Sequence, residues 1–218
     1  MVEKRSISKG KYFVAFVISS IIFIFGILVG TLMTNNKFDA ISQLQQELRT
    51  QVLSLETQYS IASQNPCTFK DFPELTEELY KMSDNLDSLE SELGKNNKEL
   101  LGLADYYSLL EIKHWLFLKE VEKKCNNNFN LILFFYSNNE EKCTDCSVQG
   151  YVLTFLRKKY PEKNIYVYSF NTDLNNLAVA TLERSYNVTK LPSIVVNDKL
   201  YQGLKDRNEV EKILNIQP

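Results

Sequence analysis

Histidine, cysteine, proline and glycine are all scarce in this 218-residue chain. It has 1 histidine, 4 cysteines, 5 prolines and 7 glycines. So few prolines and glycines exclude collagen-like and low-complexity sequences. Because His114 is the only histidine, a Ser-His-Asp hydrolase or a metal site built from histidine would have to rely on this residue alone.

An excess of basic charge is also lacking. The net charge is -2, which gives no electrostatic reason to expect nucleic-acid binding. Apolar residues make up 44% of the chain and charged residues 24%, as in ordinary globular proteins. The length allows one or two compact domains.

One long segment has no charged residues. Residues 12–33 are almost entirely apolar and would form about 33 Å of helix, enough to cross a hydrocarbon core of about 30 Å. The residues that end the run make a poor signal-peptidase site. We therefore predict an uncleaved transmembrane helix, with a cleaved signal peptide as the alternative.

The charges on either side of this segment predict its orientation. Residues 1–11 carry four basic residues and one acidic residue, whereas residues 34–50 carry two of each. Because excess basic charge stays in the cytoplasm, we predict a single-pass membrane protein with residues 1–11 as a cytoplasmic tail and an extracytoplasmic C-terminal domain. Disulfides persist in such an outer compartment.

The transmembrane segment contains the spacing Gly26-x-x-x-Gly30. Two small residues four positions apart let membrane helices approach closely, so a homodimer is one interpretation. Glycine is also common in membrane helices generally, which is the alternative.

Residues 37–125 have the apolar spacing of three amphipathic helices, and we predict a helical hairpin or coiled-coil stalk. Asn65-Pro66 ends the first helix and Gly94 the second. An intermolecular coiled coil would show the same spacing. The apolar positions are Phe38, Ile41, Leu44, Leu48, Val52, Leu55, Tyr59 and Ala62, then Leu75, Leu79, Met82, Leu86, Leu89 and Leu93, then Leu100, Leu103, Tyr107, Leu110, His114, Phe117 and Val121.

Short connections favour antiparallel neighbouring helices, which would bring Cys67 and Cys125 to the same end of the stalk. We therefore predict a structural disulfide between them, worth about 4 kcal/mol through the unfolded state. Two unpaired thiols, or pairing between chains, are the alternatives. His114 lies on the apolar stripe between Leu110 and Phe117, where a packed histidine is a better interpretation than a ligand or catalytic group.

From residue 129 onward the pattern changes to that of an α/β domain, with the order β-α-β-α-β-β-α. The predicted strands are residues 130–136, 164–170, 192–196 and 199–201. Helices are predicted from Cys143 to before Pro161, over 173–186 and over 206–214. The first of these helices would pack through Val148, Val152, Phe155 and Leu156.

Residues 129–218 resemble the thioredoxin-like superfamily. The resemblance rests on the strand 131–136, on Cys143-x-x-Cys146 at the following helix, and on Leu191-Pro192 before the third strand. It implies a thioredoxin-like fold with a cis Leu191–Pro192 bond facing the cysteine pair. It also implies that Leu191 and Pro192 present backbone to an extended polypeptide substrate.

Thiol–disulfide exchange requires a thiolate, and a helix N-terminus lowers the pKa of a thiol placed there. We predict Cys143 as the nucleophile and Cys146 as the thiol that resolves the mixed disulfide. The partners would be protein thiols or disulfides and a redox partner protein. No cofactor and no metal ion are expected.

The sequence departs from well-studied family members. The residues between the cysteines are Thr144-Asp145, and no acidic residue interrupts the strand 131–136. Three acidic residues surround the pair against Lys142 alone, which favours a reductant or exchange role over a strong oxidant.

Two other functions fit the same residues. One is a non-catalytic surface binding protein in which Cys143 and Cys146 form a structural disulfide. The other is a metal site that uses Cys143 and Cys146 together with Cys67 and Cys125.

Overall fold

The computed structural model describes residues 9–67, 72–94 and 97–216. The chain divides into two compact units, Met1–Glu47 and Leu48–Pro218. Helix α1 (Lys9–Gln64) begins in the first unit and ends in the second. Most of the predicted basic tail, residues 1–8, lies outside the described residues.

The first unit contains the apolar segment. Gly10–Thr31 is helical, has a mean hydropathy of 2.8 and is 0% buried. By length and composition it can cross a membrane, and a signal sequence has the same properties.

In the second unit, the end of α1 packs with α2 (Phe72–Leu93) and α3 (Lys98–Cys125), as in the contact of the Tyr59 and Phe117 rings. The buried apolar residues of α1 and α2 recur every three or four positions, as expected of amphipathic helices. They are Val52, Leu55, Tyr59 and Ala62 in α1 and Leu75, Leu79 and Met82 in α2.

Helix α3 is buried on two sides because it contacts both α2 and the sheet. Leu110, Phe117 and Val121 of the predicted stripe are buried. Trp115 and Leu118 lie outside that stripe and are buried as well. The predicted boundary between a stalk at 37–125 and a domain at 129–218 therefore falls inside the compact unit Leu48–Pro218.

The C-terminal part contains a four-stranded sheet in the order β2-β1-β3-β4, so the predicted mixed α/β structure is confirmed. β1 pairs in parallel with β2 and antiparallel with β3, and β3 pairs antiparallel with β4. β1 lies inside the sheet, which explains its continuous apolar sequence. The elements are β1 (Asn130–Tyr136), α4 (Cys146–Lys159), a 3-10 turn (Pro161–Lys163), β2 (Ile165–Asn171), α5 (Leu177–Tyr186), β3 (Ser193–Val196), β4 (Lys199–Gln202) and α6 (Arg207–Ile213).

The predicted packing face of α4 is half correct, because Val152 and Leu156 pack against the core and Val148 and Phe155 do not. Val148 and Phe155 are 48% and 47% exposed, whereas Gln149 and Leu153 are buried together with the correctly predicted Leu156. The sequence has apolar residues on both sides of this helix, so periodicity alone did not separate the two sides.

The predicted start of α5 at residue 173 is also wrong. The helix begins at Leu177, because the Asn176 side chain accepts hydrogen bonds from the backbone N–H groups of Ala178 and Val179. Asp173 therefore lies in the loop after β2, which has consequences for the cysteine pair.

Candidate redox site at Cys143 and Cys146

Cys143 and Cys146 form a disulfide just beyond the carboxyl end of β1. Cys146 is the first residue of α4, and the preceding Asp145 carbonyl accepts the hydrogen bond from the Gln149 N–H. Cys143 lies in a turn before the helix, where its N–H donates to the Asn139 carbonyl at 3.0 Å. The predicted helix start at Cys143 is therefore wrong by three residues. The helix begins at Cys146, because Cys143 lies in the preceding turn.

Both sulfur-bearing side chains are mostly buried. Cys143 is 7% exposed and Cys146 4% exposed. The Ser137 N–H points at the Cys146 sulfur at 3.5 Å. An N–H group in this position stabilises a thiolate once the disulfide is reduced, since hydrogen bonding to the charged form favours it.

Pro192 lies at the same end of the sheet. Phe135 of β1 pairs with Ser193 of β3, so Pro192 stands beside the end of β1, from which the chain continues to Ser137. The Leu191–Pro192 peptide bond is cis. The Pro192 carbonyl accepts a hydrogen bond from the Gly203 N–H at 2.7 Å. Within the described part of the chain, the backbone N–H and carbonyl of Leu191 have no hydrogen-bond partner.

A residue that the sequence analysis missed, Asp173, organises the loop between β1 and the cysteines. Its carboxylate accepts hydrogen bonds from the Ser137 hydroxyl at 2.7 Å, the Asn138 N–H at 3.0 Å and the Lys142 ammonium at 2.7 Å. Burial raises the pKa of Asp173, but these hydrogen bonds outweigh burial and hold the pKa below its ordinary value. Lys142 is thus engaged with a carboxylate, which weakens any stabilisation of a Cys143 thiolate.

The other cysteine pair, Cys67 and Cys125, forms a disulfide with a Cα–Cα distance of 5.2 Å. It links the joint after α1 to the end of α3, before the amino end of β1. A seven-residue strand spans roughly 20 Å. Because the two disulfides lie at opposite ends of β1, the four sulfurs do not converge on one metal ion.

His114 is a packed residue. It is 1% exposed, and its ring nitrogens contact the Thr76 hydroxyl at 3.1 Å and the Tyr168 hydroxyl at 2.8 Å. Burial lowers the pKa of His114 to about 3, so the ring is neutral at pH 7. Within the described residues, no group of three or more histidine, cysteine or acidic side chains is arranged to hold a metal ion.

Comparison with known proteins identifies no family for this chain. No protein-family model matches the chain, and no curated protein matches it. A solved structure described as a malarial protein is 22% identical with a TM-score of 0.34, over 40% of this chain and 96% of its own. Thioredoxin-2, described as a component of the malaria parasite protein secretion machinery, is 23% identical with a TM-score of 0.34, over 42% of this chain and 85% of its own. At this TM-score neither similarity assigns a fold or a function to this chain.

Proposed function

We propose that the chain is a membrane-tethered thiol–disulfide oxidoreductase whose residues 129–218 form a thioredoxin-like domain. The observation that carries the proposal is the Cys143–Cys146 disulfide at the start of α4, at the same end of the sheet as Pro192. A reversible dithiol needs two cysteines close enough to bond and a substrate backbone held next to them.

The reaction follows from the two sulfurs. In the reduced protein, the Cys143 thiolate attacks one sulfur of a substrate disulfide, forms a mixed disulfide and releases the other substrate sulfur as a thiolate. The Cys146 thiolate then attacks the Cys143 sulfur, which closes the Cys143–Cys146 disulfide and releases the second substrate thiolate. A partner dithiol protein returns two electrons by the same exchange in reverse.

Two backbone features support these roles. The Leu191 N–H and carbonyl can pair with an extended substrate segment, as strands do at a sheet edge. The Ser137 N–H favours the thiolate form of Cys146, which must act as the second nucleophile. With Lys142 engaged by Asp173, the Cys143 thiolate has little cationic support, which favours a reductant or exchange role.

The location is part of the proposal. The excess basic charge of residues 1–11 favours a cytoplasmic N-terminus, and a membrane span over residues 12–33 then carries the rest of the chain outside. Two disulfides among four cysteines agree with an oxidising compartment. Dimerisation through Gly26 and Gly30 stays a prediction.

A second candidate function is supported by the low exposure of the pair. Cys143 and Cys146 at 7% and 4% exposure also suit a structural disulfide in a non-catalytic surface binding protein. The two functions differ in whether a reductant or substrate reaches Cys143.

Covalent trapping tests the enzymatic proposal. In the full-length Cys146→Ser variant, the mixed disulfide cannot be resolved, so we expect substrate proteins to stay bonded to Cys143. The matched control, Cys143→Ser, should trap none of them. No trapped species, together with a Cys143 that resists alkylation after mild reduction of the unaltered protein, would favour the binding protein.

A further inference from the structure

A buried glutamine lies one helical turn after Cys146. Gln149 of α4 is 0% exposed, and its backbone N–H donates to the Asp145 carbonyl at 3.0 Å, at the start of the helix. Cys146 and Gln149 are both buried residues of α4, three positions apart. Side chains at this spacing are neighbours on one side of a helix, with their Cβ atoms about 5 to 6 Å apart. The amide of Gln149 can therefore reach the Cys146 sulfur.

The oxygen of this amide is engaged on the other side. Gln149 Oε1 accepts a hydrogen bond from the Lys205 N–H at 2.7 Å. Lys205 lies in the segment after β4, where the Gly203 N–H donates to the Pro192 carbonyl at 2.7 Å. The Lys205 bond thus ties α4 to the segment that holds Pro192, and it fixes which end of the amide carries the oxygen.

The nitrogen of the amide has no such partner. Gln149 Nε2 is buried and has no hydrogen-bond partner among the described residues. A buried donor without an acceptor costs free energy, and an apolar side chain of the same length would avoid that cost. An unpaired buried group of this kind calls for a functional explanation, and a role in redox chemistry is one of the explanations that apply.

Reduction of the disulfide supplies an acceptor. In the oxidised protein, the Cys146 sulfur is bonded to Cys143 and carries no charge. In the reduced protein it must become a thiolate to attack Cys143, although Cys146 is 4% exposed and burial disfavours a charged sulfur. Among the described residues, the hydrogen bond to this sulfur comes from the Ser137 N–H at 3.5 Å. The strand 131–136 has no acidic residue that could accept the proton of Cys146.

We propose that Gln149 assists the resolving step by donating a hydrogen bond from Nε2 to the Cys146 thiolate in the reduced protein. This inference rests on the proposed oxidoreductase function. The amide keeps its hydrogen throughout. The Cys146 thiolate attacks the Cys143 sulfur of the mixed disulfide, the new sulfur–sulfur bond forms, and the substrate sulfur leaves with the electron pair as a thiolate. The hydrogen bond increases the fraction of Cys146 that is a thiolate at neutral pH.

A small coloured disulfide, dithiobis(nitrobenzoate), separates the two steps of the exchange. The full chain in detergent micelles is reduced under conditions that leave Cys67–Cys125 closed, as checked by mass spectrometry, and is mixed with one equivalent of the reagent. Attack by Cys143 releases the first nitrothiobenzoate and leaves the second bonded to Cys143. Attack by Cys146 then releases the second, so stopped-flow absorbance shows two phases.

Gln149→Met keeps the length of the side chain and removes the donor. At pH 7 we expect the second phase to slow by about three- to tenfold, because a smaller thiolate fraction is partly offset by a more nucleophilic thiolate. The first phase should change by less than about twofold. The pH at which the second phase reaches half its maximal rate should rise by about one pH unit, because a lost hydrogen bond disfavours the charged sulfur.

The matched control makes the same change at an exposed glutamine. Gln202 Oε1 accepts a hydrogen bond from the Thr189 N–H at 3.0 Å, in the segment that leads to Pro192. Gln202→Met should change both phases by less than about twofold. Gln149→Leu is a second variant without the donor, and an unchanged first phase shows that each variant keeps the site folded.

The outcomes distinguish this inference from the proposed function. An unchanged second phase in both Gln149 variants, or equal slowing in Gln202→Met, would overturn the role of Gln149. A second phase that is slower at every pH with an unmoved half-maximal pH would overturn it as well, because that result indicates a structural effect through Lys205. If the unaltered protein showed no first phase, or a first phase alone, the oxidoreductase function itself would fall, and this inference with it.

Discussion

The two disulfides lie at opposite ends of β1 and differ in the length of the loop that each one closes. Cys67–Cys125 links residues 58 positions apart, whereas Cys143–Cys146 links residues 3 positions apart. Cys67 is exposed and Cys125 half-buried, yet this is the pair that suits a structural role. Exposure alone therefore does not distinguish a structural disulfide from an exchangeable one in this molecule.

The surroundings of the two pairs differ as well. At the amino end of β1, the disulfide joins two helix ends covalently. At the carboxyl end, the loops are held by hydrogen bonds such as Ser137 to Asp173 at 2.7 Å and Gly203 to Pro192 at 2.7 Å. Each such bond contributes about 1 kcal/mol, so this end rearranges more easily.

Removing each disulfide in turn gives the largest expected difference. Cys67→Ser with Cys125→Ser should lower the free energy of unfolding by about 4 kcal/mol, because a long loop is released in the unfolded state. Cys143→Ser with Cys146→Ser should cost about 2 kcal/mol by the same relation for a short loop. Denaturant unfolding followed by the fluorescence of Trp115, which is 7% exposed, measures both.

Equal losses from the two double variants would contradict this ranking. They would show that the hydrogen-bonded loops around Cys143 and Cys146 depend on their disulfide as strongly as the helices depend on theirs. The binding-protein interpretation would then gain support.

Between the two ends of β1, Glu111 of α3 accepts a hydrogen bond through its Oε1 from the Ser169 N–H of β2 at 2.9 Å. Replacing Glu111 with a neutral residue should have the next largest effect on the free energy of unfolding. Burial raises the pKa of Glu111 well above its ordinary value. A raised folded-state pKa means that the folded state holds a proton that the unfolded state releases above about pH 4.3, so stability falls as pH rises. Glu111→Gln should stabilise the protein by about 1 to 3 kcal/mol at pH 8 and little at pH 4. Denaturant unfolding at both pH values measures the effect.

His114 is the matched control for Glu111, because burial lowers the pKa of His114 and raises that of Glu111. Its lowered pKa means that the unfolded state takes up a proton first, so stability is present above about pH 6.5 and is lost as pH falls toward 3. His114→Gln should therefore reduce the dependence on the acid side and leave the alkaline side unchanged. A Glu111→Gln protein whose stability still falls from pH 4 to pH 8 by the original amount would contradict the assignment.

How far the sequence predicts this structure depends on the kind of signal. The continuous apolar run of β1 and the helical spacing of Leu75, Leu79 and Met82 are strong patterns. The structure buries residues 131–135 and these three helical residues. The second buried side of α3, with Glu111 and Trp115, was not predicted, because one stripe indicates one contact surface and the sheet is a partner distant in sequence.

The residues of the cysteine site were also only partly predictable from the sequence. The spacing of Cys143 and Cys146 is visible in the sequence, and so is Pro192. Asp173 was missed because an amphipathic pattern was extended back to it, although the Asn176 cap sets the helix start four residues later, at Leu177. An acidic residue directly after β2 was the available signal, since loops at the carboxyl ends of neighbouring parallel strands meet.

Asp173 connects the loops at the carboxyl end of β1. Its substitution should have the smallest effect on the free energy of unfolding. Asp173→Asn should lower the free energy of unfolding by about 1 kcal/mol at pH 7, because the charged acceptor of three hydrogen bonds is lost. A lowered folded-state pKa contributes stability that is present above about pH 3.9 and is lost as the pH falls through the folded pKa, so the difference between the two proteins should shrink in acid.

The same substitution frees Lys142, which then lies near Cys143 without its ion-pair partner. In the reduced protein, the Cys143 pKa should fall and its alkylation rate at pH 7 should rise roughly threefold, as expected for one exposed charge. Glu141→Gln removes an acidic charge from the same loop and leaves the pair of Lys142 and Asp173 intact. Equal alkylation rates of Cys143 in Asp173→Asn and Glu141→Gln would contradict this explanation. They would show that releasing Lys142 from its ion pair with Asp173 does not stabilise the Cys143 thiolate.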